Sequence, residues 1–126
     1  MLIRIFLGIV SLSFLIFGAW ALFDPASLAI RLGVEFGGAN GMFEARGAYG
    51  GISLGAGALF AAAIIRKALI RPALWFLTAY MGGYVLARIF GLAAGDHPTA
   101  DFLLFSFFEA TCLAIAVIAL NAYTPK

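Results

Sequence analysis

Four apolar segments, each about as long as a helix that crosses a bilayer, constrain this chain more than any other feature. About 20 helical residues cross the hydrocarbon core, where only helices and closed barrels satisfy their backbone hydrogen bonds. The segments therefore predict an all-α fold, an integral membrane four-helix bundle in which residues 1–126 form a single transmembrane domain. The segments lie at about residues 5–23, 42–65, 72–94 and 101–122.

Composition excludes several other classes of protein. Hydrophobic residues make up 64% of the chain and charged residues 11%, whereas a soluble domain carries about 25% charged residues. The formal net charge of +2 is too small and too scattered to predict a nucleic-acid partner. Because Cys112 is the only cysteine and His97 the only histidine, the sequence predicts no intramolecular disulfide and no metal site. It also predicts no cofactor, since its glycines lie within predicted helices and form no phosphate-binding loop after a strand.

Proline and charged residues mark the limits of the segments. Asp24-Pro25 ends the first one, because proline disfavours helix at the residue before it. We expect this first segment to be retained, since its charge-free run is longer than most signal-peptide cores. Residues 24–41 form the one long connection, either a short amphipathic helix at the membrane interface or an ordinary loop that packs on the bundle.

The distribution of loop charges predicts the orientation. Most loop cations fall on one side of a four-span arrangement, and Arg31 is the only clear loop cation on the other side. The positive-inside rule then places both termini in the cytoplasm, and an even number of spans agrees with that placement. The cations on the predicted cytoplasmic side are Arg4, Arg66, Lys67, Arg71 and Lys126.

Besides Asp101 at the first position of the last span, four charged residues lie inside the predicted spans, where a charge is costly unless it is paired. At 1.5 Å per residue, Arg88 lies about 9 Å from the outer end of its span, and Glu109 about 12 Å from that of the next. We therefore expect all four in the outer half of the membrane, as a buried and neutral network with tyrosine hydroxyls. The four residues are Glu44, Arg46, Arg88 and Glu109.

Helical spacing adds neighbours to these charges. Arg46 and Tyr49 share a face of the second span, and Tyr84 lies four residues before Arg88 on the third. Glu44 shares a face with glycines of its span, which predicts that it points toward a close partner helix, because small-residue stripes let backbones approach. The two small-residue stripes are Gly47, Gly51 and Gly55, and Gly83, Ala87 and Gly91.

The charged network has three interpretations, which the sequence leaves open. The ion pairs hold the helices in register, or the arginines bind the anionic group of a ligand, or Glu109 serves in proton transfer or catalysis. We expect a non-enzymatic role, in which the cluster binds a small amphipathic molecule or a lipid head group, or the protein serves as an accessory subunit. The alternatives are a structural or assembly subunit of a larger membrane complex and, third, a proton-coupled carrier or membrane-embedded enzyme that uses Glu109. The predicted ligand-binding residues are Glu44, Arg46, Tyr49, Tyr84, Arg88 and Glu109.

At Glu44-x-Arg46-x-x-Tyr49-Gly50-Gly51 the chain resembles an uncharacterised bacterial family of small four-helix inner-membrane proteins, classed only as a domain of unknown function. The likeness extends to Arg88, Glu109, Phe23-Asp24-Pro25 and Arg71-Pro72, and it spans nearly the whole chain. In architecture the chain also looks like the DoxX-like group of four-helix membrane proteins. The resemblance implies a helical bundle in the bacterial inner (cytoplasmic) membrane and no established activity.

The partners that we expect follow from the apolar surface and the buried charges. They are the lipid bilayer, a small amphipathic ligand or lipid, and either a second copy of the chain or a larger membrane complex.

Overall fold

The computed structural model describes residues 1–123, and their regular structure is entirely helical, which agrees with the all-α fold that the apolar segments predict. Four of the helices are long and apolar enough to cross a membrane, which confirms the predicted number of such helices. Lys126, which contributes to the predicted orientation, lies outside the described residues. The helices are α1 (Leu2–Phe23), α2 (Pro25–Leu32), α3 (Gly38–Ile65), α4 (Ile70–Ala94, preceded by a 3₁₀ turn at Lys67–Leu69) and α5 (Ala100–Ala122).

The chain forms two compact units, Met1–Arg66 and Lys67–Lys126. In the first unit α1 packs against α3, and in the second unit α4 packs against α5. Each unit is thus an antiparallel pair of long helices. A short turn at residues 95–99 joins α4 to α5, whereas residues 24–37, which include α2, join α1 to α3.

The first part of the 24–41 connection is the eight-residue helix α2. Asp24 caps it, because its Oδ1 accepts the Ser27 N–H at 3.1 Å, and Pro25 occupies the first helical position, where its missing N–H costs nothing. The Trp20 indole Nε1 donates to the Ser27 hydroxyl at 3.1 Å, and this hydrogen bond links α2 to α1. Gly33 ends α2 with φ 66°, a left-handed conformation that glycine adopts without strain.

Small residues let α1 and α3 approach at backbone distance. A Cβ atom on Gly18 would lie 2.9 Å from the Gly50 carbonyl oxygen and 2.9 Å from the Leu54 nitrogen. Further along the pair, the buried Ser11 hydroxyl donates to the Gly57 carbonyl oxygen at 2.8 Å. Such close contacts are typical of helix pairs in a bilayer, where packing and interhelical hydrogen bonds, and not the hydrophobic effect, drive helix association.

The small-residue stripe that the sequence predicts on the second span, which is now α3, does not contact α1. Gly47, Gly51 and Gly55 are exposed, and no heavy atom outside the local backbone of α3 lies near their Cβ positions, apart from the Arg46 carbonyl oxygen near Gly51. The helix carries a second small-residue face, roughly opposite the first, and this is the face that α1 covers. Its small members are Gly50, Ser53, Ala56 and Gly57.

In the second unit, apolar residues of α4 are buried along its first three turns, and small residues of α5 are buried toward its end. The α4 helix ends at Gly95 (φ 97°), where the Asp96 N–H donates to the Gly91 carbonyl oxygen at 3.0 Å. Gly91 of the predicted α4 stripe therefore faces the Asp96 carboxylate of the turn, and Gly83 has open space around its Cβ position. At the opposite end of the pair, the Tyr123 hydroxyl donates to the Lys67 carbonyl oxygen at 3.2 Å.

Candidate functional site

Arg88 of α4 and Glu109 of α5 form a two-pronged ion pair. Arg88 Nε donates to Glu109 Oε2 at 3.1 Å, and Arg88 Nη2 donates to Glu109 Oε1 at 3.0 Å. The Glu109 side chain is 12% exposed, whereas that of Arg88 is 33% exposed. Parallel guanidinium–carboxylate bonds of this kind are strong and directional, so they fix the two helices in depth and in rotation.

Aromatic rings enclose the guanidinium of this pair. The Arg88 Cζ atom lies 5.2 Å from the centroid of the Tyr84 ring and 5.4 Å from that of the Phe102 ring. Tyr80 packs edge-on against Tyr84, with centroids 5.2 Å apart. The Tyr84 and Phe102 rings both lie within the distance range of cation–π attraction to Arg88, and this attraction strengthens when water is excluded. The predicted grouping of Tyr84 with Arg88 on one face of the helix is therefore confirmed in the second unit.

The positions of Arg88 and Glu109 along their helices explain why the two side chains meet. Arg88 precedes the end of α4 at Ala94 by six residues, and Glu109 follows the start of α5 at Ala100 by nine. With 1.5 Å per residue, both charges lie about 9–14 Å from the Gly95 turn, so a short antiparallel connection brings them level. Pairing removes most of the cost of placing two charges in an apolar segment.

Arg46 of α3 lies in an irregular part of its helix. Residues Arg46–Gly51 form a π-helical turn, in which the Ile52 N–H reaches back five residues to the Gly47 carbonyl oxygen. Arg46 Nε donates to the Leu22 carbonyl oxygen at 3.1 Å, at the C-terminal end of α1. Helix ends leave their last carbonyls without partners and carry partial negative charge, so a guanidinium is well suited to this position.

Tyr49 also faces α1, as its shared spacing with Arg46 predicts. Its half-buried ring packs against Phe17, with centroids 6.2 Å apart, and against Phe36 at 5.5 Å. Phe36 lies just before α3, in the last part of the 24–41 connection. The aromatic cluster therefore anchors that connection beside the Arg46 turn.

Glu44 differs from the expectation based on its spacing. It is exposed, and within residues 1–66 its carboxylate has neither a hydrogen bond nor an ion pair. The glycines that share its face are exposed as well, because α1 covers the opposite side of α3. In the first unit Glu44 therefore points away from the close partner helix. The predicted network of all four charges stays a prediction.

Two features of these sites have no clear signal in the sequence. The partner of Arg46 in the first unit is a main-chain carbonyl, that of Leu22, which every residue type supplies equally. The π-helical turn coincides with the Gly50-Gly51 pair, and glycine pairs indicate only that a helix is easily distorted there. In the described part of the chain, no three His, Cys, Asp or Glu side chains are placed to hold a metal ion.

Comparison with known proteins places the chain beside one family. The model of a family described as Domain of unknown function (DUF4345) matches residues 2–120. The match covers both compact units, in agreement with a resemblance that spans nearly the whole chain. No curated protein and no solved structure matches the chain.

Proposed function

Because the chain belongs to the family described as Domain of unknown function (DUF4345), its function has to be inferred from its own residues, and we propose a non-enzymatic binding role in a membrane. The ligand is the anionic group of an amphipathic small molecule or of a lipid, and Arg46 holds it. Tyr49 donates a hydrogen bond from its hydroxyl, and Glu44 orients any cationic part of the ligand.

The exposed guanidinium of Arg46 carries this proposal. Arg46 lies eight residues after the start of α3 at Gly38, about 12 Å along the helix. Its Nε is held by the Leu22 carbonyl oxygen, and within residues 1–66 its terminal amino groups have no carboxylate partner. A fixed guanidinium at this depth gains from an anion that accepts two parallel hydrogen bonds. Its position in a π-helical turn agrees, since such turns are frequent at functional sites.

The Arg88–Glu109 pair supports a second candidate, a structural or assembly subunit of a larger membrane complex. The two-pronged geometry directs the charges of Arg88 and Glu109 at each other. In this role Arg88, Glu109 and Tyr84 hold α4 and α5 in register, and the exposed face of α3 with Gly47, Gly51 and Gly55 packs against a partner or a second copy. A proton-coupled carrier or an enzyme that uses Glu109 ranks third, because its carboxylate is already engaged by a guanidinium.

The proposed location is the bacterial inner membrane, with both termini in the cytoplasm. Arg4, Arg66, Lys67 and Arg71 lie at the ends of the long helices that this orientation places inside, and Asp24, Asp96 and Asp101 lie at the opposite ends. Positively charged loops are retained in the cytoplasm during insertion, which is the support for this orientation.

The proposed role predicts that Arg46→Gln removes a bound amphiphile. The wild-type protein, purified in an uncharged detergent, is expected to retain a defined anionic molecule in native mass spectrometry with lipid extraction. Losing a charge-assisted contact weakens binding by about tenfold or more. The matched control is Arg66→Gln, which removes the same charge from the other end of α3 and should retain the molecule.

Two outcomes would contradict the binding role. One is a bare wild-type chain that also fails to take up phosphatidylglycerol or oleate when either is added. The other is equal loss of the molecule in Arg46→Gln and Arg66→Gln. A chain found only with another protein would favour the assembly subunit instead.

A further inference from the structure

A groove of about 200 Å³ opens between α4 and α5, near the start of α4. Arg71 lies beside this groove, and it precedes Arg88 by 17 residues (88 − 71), or about 25 Å along α4. The groove is therefore far from the Arg88–Glu109 pair, and it shares no residue with the ligand-binding set that the sequence predicts. Its lining residues are Arg71, Trp75 and Thr78 of α4, and Val117, Leu120 and Asn121 of α5.

Apart from Thr78, whose hydroxyl donates to the Leu74 carbonyl oxygen at 2.8 Å, the lining changes from polar to apolar with depth. Arg71 is the second residue of α4 and Asn121 the last but one of α5, so both lie at the rim of the helix pair. Val117 precedes Asn121 by four residues, which places it about 6 Å deeper. Trp75, 57% exposed, lies one turn below Arg71, a position typical of a membrane–water interface. The groove thus has the polarity gradient of an amphiphile.

The charges of the second unit are segregated along the helix pair. Lys67 and Arg71 lie at the groove end, and both are exposed. The acidic residues described in this unit, Asp96, Asp101 and Glu109, lie at or toward the other end. A phosphate at the rim would therefore meet the Arg71 guanidinium, in a region where no acidic side chain of the described part of this unit lies nearby, which is the composition of sites for lipid phosphates between membrane helices.

We propose that this groove binds an anionic phospholipid. Its phosphate lies against the Arg71 guanidinium, the Asn121 amide donates to a phosphate or ester oxygen, and the upper part of one acyl chain packs on Val117 and Leu120. The volume fits this partial occupancy, because about 200 Å³ is below the roughly 300–1,000 Å³ of pockets that enclose a drug-sized molecule. The Tyr123–Lys67 hydrogen bond joins the residue after α5 to the turn before α4, at the same end of the helix pair as the groove.

This site predicts selective binding of phosphatidylglycerol over phosphatidylcholine. Native mass spectrometry of the full chain in uncharged detergent, titrated with each lipid, measures the fraction of chains that carry one lipid. Arg71→Gln is expected to lower phosphatidylglycerol binding by about five- to tenfold and to leave phosphatidylcholine binding unchanged. Lys67→Gln, the matched control, removes the same charge from an exposed residue that does not line the groove, and it should lower binding by less than about twofold.

A second variant tests the groove itself. Val117→Trp fills the apolar part, leaves every charge in place, and is expected to reduce phosphatidylglycerol binding as strongly as Arg71→Gln does. Equal effects of Arg71→Gln and Lys67→Gln would overturn the proposal, as would equal binding of the two lipids or full binding by Val117→Trp. The proposal would also be overturned if the protein formed a dimer that Val117→Trp dissociates and that added phosphatidylglycerol does not disrupt. Because Arg46 lies in the other unit, failure here leaves the Arg46→Gln result unaffected.

Discussion

Arg88→Met is expected to destabilise the second unit by about 3 kcal/mol, while Glu109→Leu costs only about 1–2 kcal/mol. The asymmetry follows from burial, since the Glu109 side chain is 12% exposed and that of Arg88 is 33% exposed. Removing Arg88 leaves a buried carboxylate with no cation, and breaking a buried pair in this way costs about 3–5 kcal/mol. Removing Glu109 leaves a longer side chain that can reach water with its charged end.

The double variant Arg88→Met with Glu109→Leu should recover most of this loss and come within about 1 kcal/mol of the wild type. An apolar pair in place of a buried ion pair is often neutral, because neither charge then has to be desolvated. The difference between the double variant and the sum of the single variants gives the coupling energy of the pair.

Trp75 reports on the second unit and Trp20 on the first, because each unit contains one tryptophan. Unfolding in mixed micelles of increasing sodium dodecyl sulfate content, followed by Trp75 fluorescence in a Trp20→Phe background, therefore measures the pair. Equal losses of unfolding free energy in the two single variants, or additive losses in the double variant, would show that Arg88 and Glu109 do not stabilise the unit as a buried ion pair. A stable double variant that no longer retains a ligand would instead place Arg88 and Glu109 in a binding site.

Gly18→Ala is expected to destabilise the α1–α3 pair by about 2 kcal/mol. The added Cβ would lie 2.9 Å from the Gly50 carbonyl oxygen and from the Leu54 nitrogen, both of them backbone atoms of α3. Backbone atoms cannot rotate away as the end of a side chain can, so the two helices must separate. Overpacking of this kind costs about 1–3 kcal/mol, and the separation also weakens the interhelical contacts on either side.

The matched control for Gly18→Ala is Gly55→Ala, on the other helix of the same pair. Its Cβ position has open space, so alanine should be neutral or stabilise α3 by about 0.5–1 kcal/mol through helix propensity. Trp20 fluorescence in a Trp75→Phe background measures both variants. A destabilising Gly55→Ala combined with a neutral Gly18→Ala would show that α1 packs against the other small-residue face of α3.

Much of the candidate site in the second unit could be predicted from the sequence. The positions of Arg88 and Glu109 relative to the ends of their segments already place both charges at one depth, since each helical residue advances by about 1.5 Å. The spacing of four between Tyr84 and Arg88 likewise places the ring and the guanidinium on one face, where they lie 5.2 Å apart. Depth and local faces are properties of one helix, and they need no knowledge of its neighbour.

The sequence by itself determined the all-α class, the four apolar helices and the end of the first of them, because apolar length and Asp24-Pro25 act through the local backbone. Only the tertiary structure decided which side of α3 meets α1. That helix carries two small-residue faces, and the choice depends on how both helices interlock, including the hydrogen bond from Ser11 to Gly57. The same holds for Arg46, whose Nε binds the Leu22 carbonyl at the end of α1. A main-chain acceptor becomes specific only when folding brings a helix end beside the donor.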